Sequence, residues 1–363
     1  MKQVCLLCNR VAADSNLYCQ ETFCPAEMSP SILEFGEWLG DIEIVRPIVI
    51  LRSAVLYEAI HQKQRVLLKV AHPGPEHKER LKRETEFLRE VYFSFGSNPN
   101  LPKLLPPEAF SSLKRNADAH GKTMLRGHLL YYALFEYFEG ESLRDVLTKN
   151  SQLWLRHVGW IVMRLANAVA TLHSKGLFHY GLSPESLLVH FDEKSNLPHI
   201  LLFDLGIVTS ANGLSTDWYK DFVFPAYLAP EFIGASTIRP NYRTDVYGLG
   251  LILYELLVGE PTYPFQLRND TEIFRLIQNS DRVQMNRIED VKAVAEIALK
   301  AVQIQPDRRQ ESAQVLSREL QHFFGAIPKE KESRLPALNT TMLILAASLA
   351  ATLLVLITII VLT

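Results

Sequence analysis

Residues 42–71 read IEIVRPIVILRSAVLYEAIHQKQRVLLKVA, and residues 74–95 read GPEHKERLKRETEFLREVYFSF. The first stretch gathers β-branched residues into short runs bounded by turn-formers, which predicts a small sheet between about residues 40 and 75. In the second, Leu81, Phe87, Leu88 and Val91 recur at helical spacing against a charged opposite side, which predicts an amphipathic helix. More strand-like sequence ends in HLLYYALFEYFEG, residues 128–140. Beyond it the pattern turns helical, in RHVGWIVMRLANAVATLHSKG (156–176) and TDVYGLGLILYELLVGE (244–260). The expected fold is α+β, a β-rich lobe followed by an α-rich lobe.

Outward from this middle, the 363 residues exceed what one ordinary domain needs, so further units are expected. With 38 basic and 40 acidic residues the net charge is -2, which argues against a dedicated nucleic-acid binder. The N-terminus has no apolar stretch behind a basic flank, so no cleaved signal peptide is expected. All four cysteines, Cys5, Cys8, Cys19 and Cys24, fall in the opening CLLCNRVAADSNLYCQETFC. Thiolates at that spacing can converge from two turns on one tetrahedral zinc; two disulfides or free thiols in a tail are the alternatives. Residues 1–30 therefore read as a zinc-ribbon-like segment of four cysteines whose folding energy comes from a structural metal. At the other end, Met342 to Leu362 reads MLILAASLAATLLVLITIIVL without a charge. About 20 such residues cross a hydrocarbon core of about 30 Å. A transmembrane helix is expected at 341–362, after a juxtamembrane linker at 326–340. Lys329, Lys331 and Arg334 before it keep the large N-terminal part on the cytoplasmic side.

Several spaced motifs across residues 40–325 resemble the protein kinase family, with an N-lobe at 40–138 and a C-lobe at 139–325. In VLLKV, Lys69 stands where that family's third strand carries the lysine that binds ATP phosphates, and Glu84 stands where the helix carries its partner. Phe135 and Glu136 match the gatekeeper and hinge. HSKGLFHYGLSPESLLV resembles the catalytic loop, and LLFDLG the metal-binding segment, with Asp204 and Gly206 kept and Leu205 in place of phenylalanine. Ala229-Pro230-Glu231, Asp245, Gly250 and Arg309 match positions that build the lower lobe. The resemblance implies a two-lobed kinase-like fold and makes Lys69, Glu84 and Asp204 candidates for binding ATP and Mg²⁺.

The match fails where chemistry is done. The loop reads His179-Tyr180-Gly181-Leu182-Ser183-Pro184-Glu185-Ser186. Phosphoryl transfer in the family needs a carboxylate, a lysine and a metal-binding amide where this chain has Gly181, Ser183 and Ser186. A glycine offers no acid-base group. Tyr180 replaces the loop arginine that receives an activating phosphate, and Phe224 replaces a threonine of the activation segment. In the nucleotide-covering loop, Val49, Leu51 and Ala54 replace three glycines whose backbone would approach phosphates, so nucleotide affinity should be weak at best. The departures imply a membrane-tethered pseudokinase acting as a scaffold or regulator for cytoplasmic signalling proteins, in a bacterial inner membrane. A serine/threonine kinase with a rearranged site, drawing a carboxylate from Glu185, Asp217 or Asp221, is the alternative. A different transferase built on Lys69 and Asp204 is a third reading. Ion pairing of Lys69 with Glu84 and turn capping by Asp204 are the structural roles these residues would otherwise have.

Overall fold

The computed structural model describes residues 2–5, 11–12, 30–95, 98–105, 119–210, 222–233, 238–266, 268–279 and 291–328. Residues 1–327 form one compact unit, and the expected span at 341–362 lies outside the described residues. Among the described residues no helix is long and apolar enough to cross a membrane.

The β-rich half is a seven-stranded antiparallel sheet built on β1 (Ile42–Ile50), β2 (Ala54–His61), β3 (Gln64–Ala71), β4 (Gly121–Leu125) and β5 (His128–Glu136). Trp38–Leu39 pairs with β1 at one edge, and Leu104–Leu105 pairs with β5 at the other. The β-branched runs of 42–71 become β1 to β3, and α1 (Pro75–Phe95) follows, as the periodicity predicted. Leu81 and Leu88 are buried, and Phe87 packs against the same core.

Alternation along the strands sends side chains to two faces. Ile42, Ile44, Tyr57, Val66, Leu68 and Leu134 form an outer cluster that is completed by Val4, Ile32 and Leu33 from the N-terminal segment. That segment forms a small antiparallel sheet of its own, Val11–Ala12, Lys2–Val4 and Ser31–Ile32. Leu33 N–H donates to the Tyr57 hydroxyl at 3.0 Å. Its described residues thus bury apolar surface against the larger sheet, a source of folding energy besides the metal that the cysteine spacing implies.

The helical half holds α2 (Leu143–Lys149), α3 (Leu155–His173), the hairpin β6 (Leu187–Phe191) and β7 (Pro198–Leu202), then α4 (Tyr242–Val258), α5 (Asp270–Asn279), α6 (Lys292–Ala301) and α7 (Ala313–Phe324). Buried α3 residues such as Ile161, Leu165 and Val169 meet Leu249 and Leu253 of α4 and Leu316 of α7. The inner face of the sheet joins this cluster through Leu56, Leu67 and Ala133. A β-sheet N-terminal part and a helical C-terminal part give the two-lobed arrangement.

Candidate functional site

Lys69 lies near the centre of the sheet, opposite Leu56 on β2 and Ala133 on β5. Its side chain points from β3 into the space between the lobes, as does that of Leu67 two residues earlier. There Leu51, Leu56, Leu67 and Ala133 share one apolar cluster with Leu188 and Phe203 of the lower lobe.

Helix α1 brings Glu84 to this point and, one turn earlier on the same side, Arg80. Lys69 Nζ lies 2.5 Å from Glu84 Oε2 and 2.7 Å from Asp204 Oδ1. Arg80 Nη2 is 2.5 Å from Asp204 Oδ2, and its Nη1 donates to the Phe222 carbonyl at 2.8 Å. Glu84 Oε1 accepts the Leu205 N–H at 2.9 Å. Two cations and two carboxylates make a charge-balanced network, which is what burial of ionised groups requires. Lys69 and Arg80 are each 1% exposed, Glu84 0% and Asp204 6%. Burial alone would raise the Asp204 carboxyl, but Arg80 and then Lys69 outweigh it and hold it down at about 2. Asp204 does not cap the turn that follows it; both its oxygens serve the ion network. Gly206 makes the approach of α1 fit, because a Cβ there would come 2.5 Å from the Arg80 carbonyl oxygen.

The turn between β1 and β2 is held both by His72 and by the lower lobe. Leu51 N–H donates to Ala54 O at 2.8 Å, and His72 at the end of β3 binds the turn twice, Nε2 to Leu51 O and N–H to Ser53 O, each at 2.9 Å. Burial pushes the His72 imidazole down to about 4, so it is neutral at pH 7. Arg52 reaches the lower lobe, donating from Nη1 to Val223 O at 3.1 Å and pairing through Nη2 with Asp270 Oδ2 at 2.6 Å. Val49, Leu51 and Ala54 are all buried, so each carries a side chain into the protein where the resemblance expected bare backbone.

In the loop at 179–186, the Asp245 carboxylate accepts the N–H groups of His179 and Tyr180 at 3.0 and 2.6 Å and pairs with His173 Nε2 at 2.8 Å. The His179 ring is itself enclosed, and burial pushes its imidazole down, which leaves it neutral. Tyr180 stacks on Phe178 with centroids 5.1 Å apart and meets Phe232 edge-on, so an aromatic core fills the expected arginine site. Phe224 packs against the cluster shared by the two lobes and against a second one that holds Phe178, Tyr180 and Phe232. At Gly181, a Cβ would stand 2.2 Å from Ile207 Cδ1 and 2.8 Å from Val223 Cγ1. Ser186 Oγ accepts the Ser183 N–H at 3.1 Å and donates to the Ser183 carbonyl at 2.9 Å, so its hydroxyl braces the loop. Glu185 is held at 2.6 Å by Arg144, which also pairs with Glu255 and with the Tyr227 hydroxyl. Asp217 and Asp221 lie outside the described residues.

Mg²⁺ does not fit these residues as they stand. A magnesium ion needs near-octahedral oxygen ligands at about 2.0–2.1 Å and keeps several waters. Both Asp204 oxygens are already engaged by cations, and the amide ligand is replaced by the occupied Ser186 hydroxyl. For zinc, Cys5 is buried at the end of the first strand, while Cys8, Cys19 and Cys24 lie outside the described residues. Among the described residues no group of three or more His, Cys, Asp or Glu could hold a metal.

The sequence reasoning missed Arg80, Arg52, Ile207 and Val223. Arg80 was legible as the residue four before Glu84 on one helix face. The other three act through contacts distant in sequence.

In comparisons with known proteins, the protein kinase domain family matches residues 120–340. A serine/threonine-protein kinase of Drosophila melanogaster is 33% identical over 132 residues, covering 36% of this chain and 17% of the fly protein. Serine/threonine-protein kinase 33 of Bos taurus is 26% identical over 207 residues, 55% of this chain and 42% of the bovine protein. The chain thus spans less than half the length of these curated relatives.

Proposed function

Because the chain belongs to the protein kinase domain family, we propose that it is a pseudokinase, a member that has exchanged phosphoryl transfer for docking and regulation. The observation that carries this is the wall of Ile207 and Val223 against Gly181, the position that the loop motif aligns with the family's catalytic carboxylate. Loss of the base, of the glycine cradle and of the amide ligand together removes proton acceptance, phosphate positioning and second-metal binding. The test is phosphate incorporation from labelled ATP by the full chain in detergent micelles, with Lys69→Ala as control. No Lys69-dependent incorporation is expected; a clear Lys69-dependent signal overturns the proposal.

The second reading, a working serine/threonine kinase, is favoured by the assembled Lys69–Glu84 pair and by the activity in the relatives' names. It would have to draw its base from Asp217 or Asp221, since Glu185 is bound by Arg144. Replacing each aspartate without loss of activity would remove that source.

Membrane tethering through residues 341–362, with the domains on the cytoplasmic face of a bacterial inner membrane, is part of the same proposal. Alkaline extraction checks it: the chain should stay with the membrane pellet, and a variant ending at residue 335 should not. The cytoplasmic signalling partners are proposed on the same basis. Zinc on Cys5, Cys8, Cys19 and Cys24 is likewise proposed from the cysteine spacing, with one metal per chain expected by elemental analysis and loss on Cys8→Ser.

A further inference from the structure

We propose that Arg80 permanently takes the charge-neutralising place of a divalent cation beside Asp204, so that the domain keeps its helix and sheet assembled with neither metal nor nucleotide bound. This goes beyond the missing base at Gly181, because a domain without that base could still bind ATP.

Glu84 and Asp204 face Lys69 from two sides, and one ammonium cannot balance two buried carboxylates. Arg80 supplies the second positive charge at 2.5 Å from Asp204 Oδ2. Its guanidinium is covalently part of the chain, so unlike a metal it neither dissociates nor depends on supply. Phe222 and Gly206 accommodate it. Phe222 gives a carbonyl to Nη1 and a ring face 5.1 Å from the guanidinium carbon, and Gly206 leaves space for the α1 backbone. A metal entering at Asp204 would have to expel a side chain that is bonded on two sides and only 1% exposed.

The experiment is thermal unfolding of the full chain in detergent micelles, with Mg²⁺ or Mn²⁺, each with and without ATP. Wild type should not respond. Arg80→Met should lose on the order of ten degrees in Tm, because it leaves a buried carboxylate uncompensated. Mn²⁺ or Mg²⁺ alone should return part of that loss. The doubly substituted Arg80→Met/Asp204→Leu should be stable without metal and unresponsive to it. Metal-ATP stabilisation of wild type, or an Arg80→Met protein as stable as wild type, overturns the proposal. If Arg80→Met does not fold, equilibrium dialysis of wild type against ATP with Mn²⁺ decides, with saturable binding overturning it. Binding without phosphate transfer would sink this inference alone, whereas Lys69-dependent transfer would sink the pseudokinase proposal as well.

Discussion

Gly181 and Ile207 are in such close packing that a Cβ on the first would lie 2.2 Å from Cδ1 of the second. Restoring an aspartate at 181 therefore cannot by itself restore a base. Gly181→Asp should fold less stably by at least about 1–3 kcal/mol, the usual cost of overpacking a core. It should gain no phosphate-transfer activity. Adding Ile207→Ala should recover much of the stability, as read from denaturant midpoints. A single Gly181→Asp variant with wild-type stability would show that the wall yields.

The lower lobe depends on a second buried pair. Arg309 holds Glu231 with two hydrogen bonds, at 2.7 and 2.9 Å, and Thr244 donates to the same carboxylate at 2.9 Å. Arg309→Ala should cost about 3–5 kcal/mol, since it strands a buried carboxylate, and should unfold a marginal domain. Arg309→Lys should recover only part, because an ammonium cannot reproduce the two-pronged geometry. Urea unfolding of the three proteins checks the order.

The pattern of 42–95 revealed the sheet and α1, because strand alternation and helical spacing are local properties. Asp245, Glu231 and Arg309 were legible as motif positions, and so was the loss at Gly181. What fills those losses was not legible. Ile207 and Val223 reach Gly181 from residues 26 and 42 positions away in the chain, and Arg52 meets Asp270 from much farther. Contacts of that kind follow from how the lobes close, and no local period reports them. Arg80 is the intermediate case, since its face on α1 was readable but its partner Asp204 was not.

His72 gives the fold a pH dependence with a definite sign. In the unfolded chain its imidazole titrates near 6.5, whereas in the fold burial pushes it down to about 4. Between those values the unfolded state binds the extra proton, so stability is complete above about 6.5 and falls as pH drops toward 4. The full difference is worth about 3 kcal/mol at about 1.4 kcal/mol per unit. His77, His157 and His179 are also pushed down by burial and add in the same direction. Asp204 contributes only lower, between about 4 and 2. Denaturant midpoints at pH 7 and pH 5 should differ in wild type, and His72→Gln, which can still donate to Leu51, should reduce the difference. An unchanged slope in that variant would remove His72 as a source.

Arg52 and Asp270 join the β1–β2 turn to the first residue of α5 at 2.6 Å, and the same guanidinium donates to Val223 O. The pair is partly solvated, so Asp270→Ala should cost no more than about 1 kcal/mol in global stability. Its effect should instead be local. The backbone N–H of Leu51 is bonded within the turn, to Ala54 O, and exchanges only when the turn opens. Losing the tie to the lower lobe should speed hydrogen exchange at Leu51 by several-fold while leaving the β2–β3 ladder protected. Arg52→Ala, which also loses the Val223 contact, should speed it further. Equal acceleration across turn and ladder would mean that the pair stabilises the whole domain and not the turn itself.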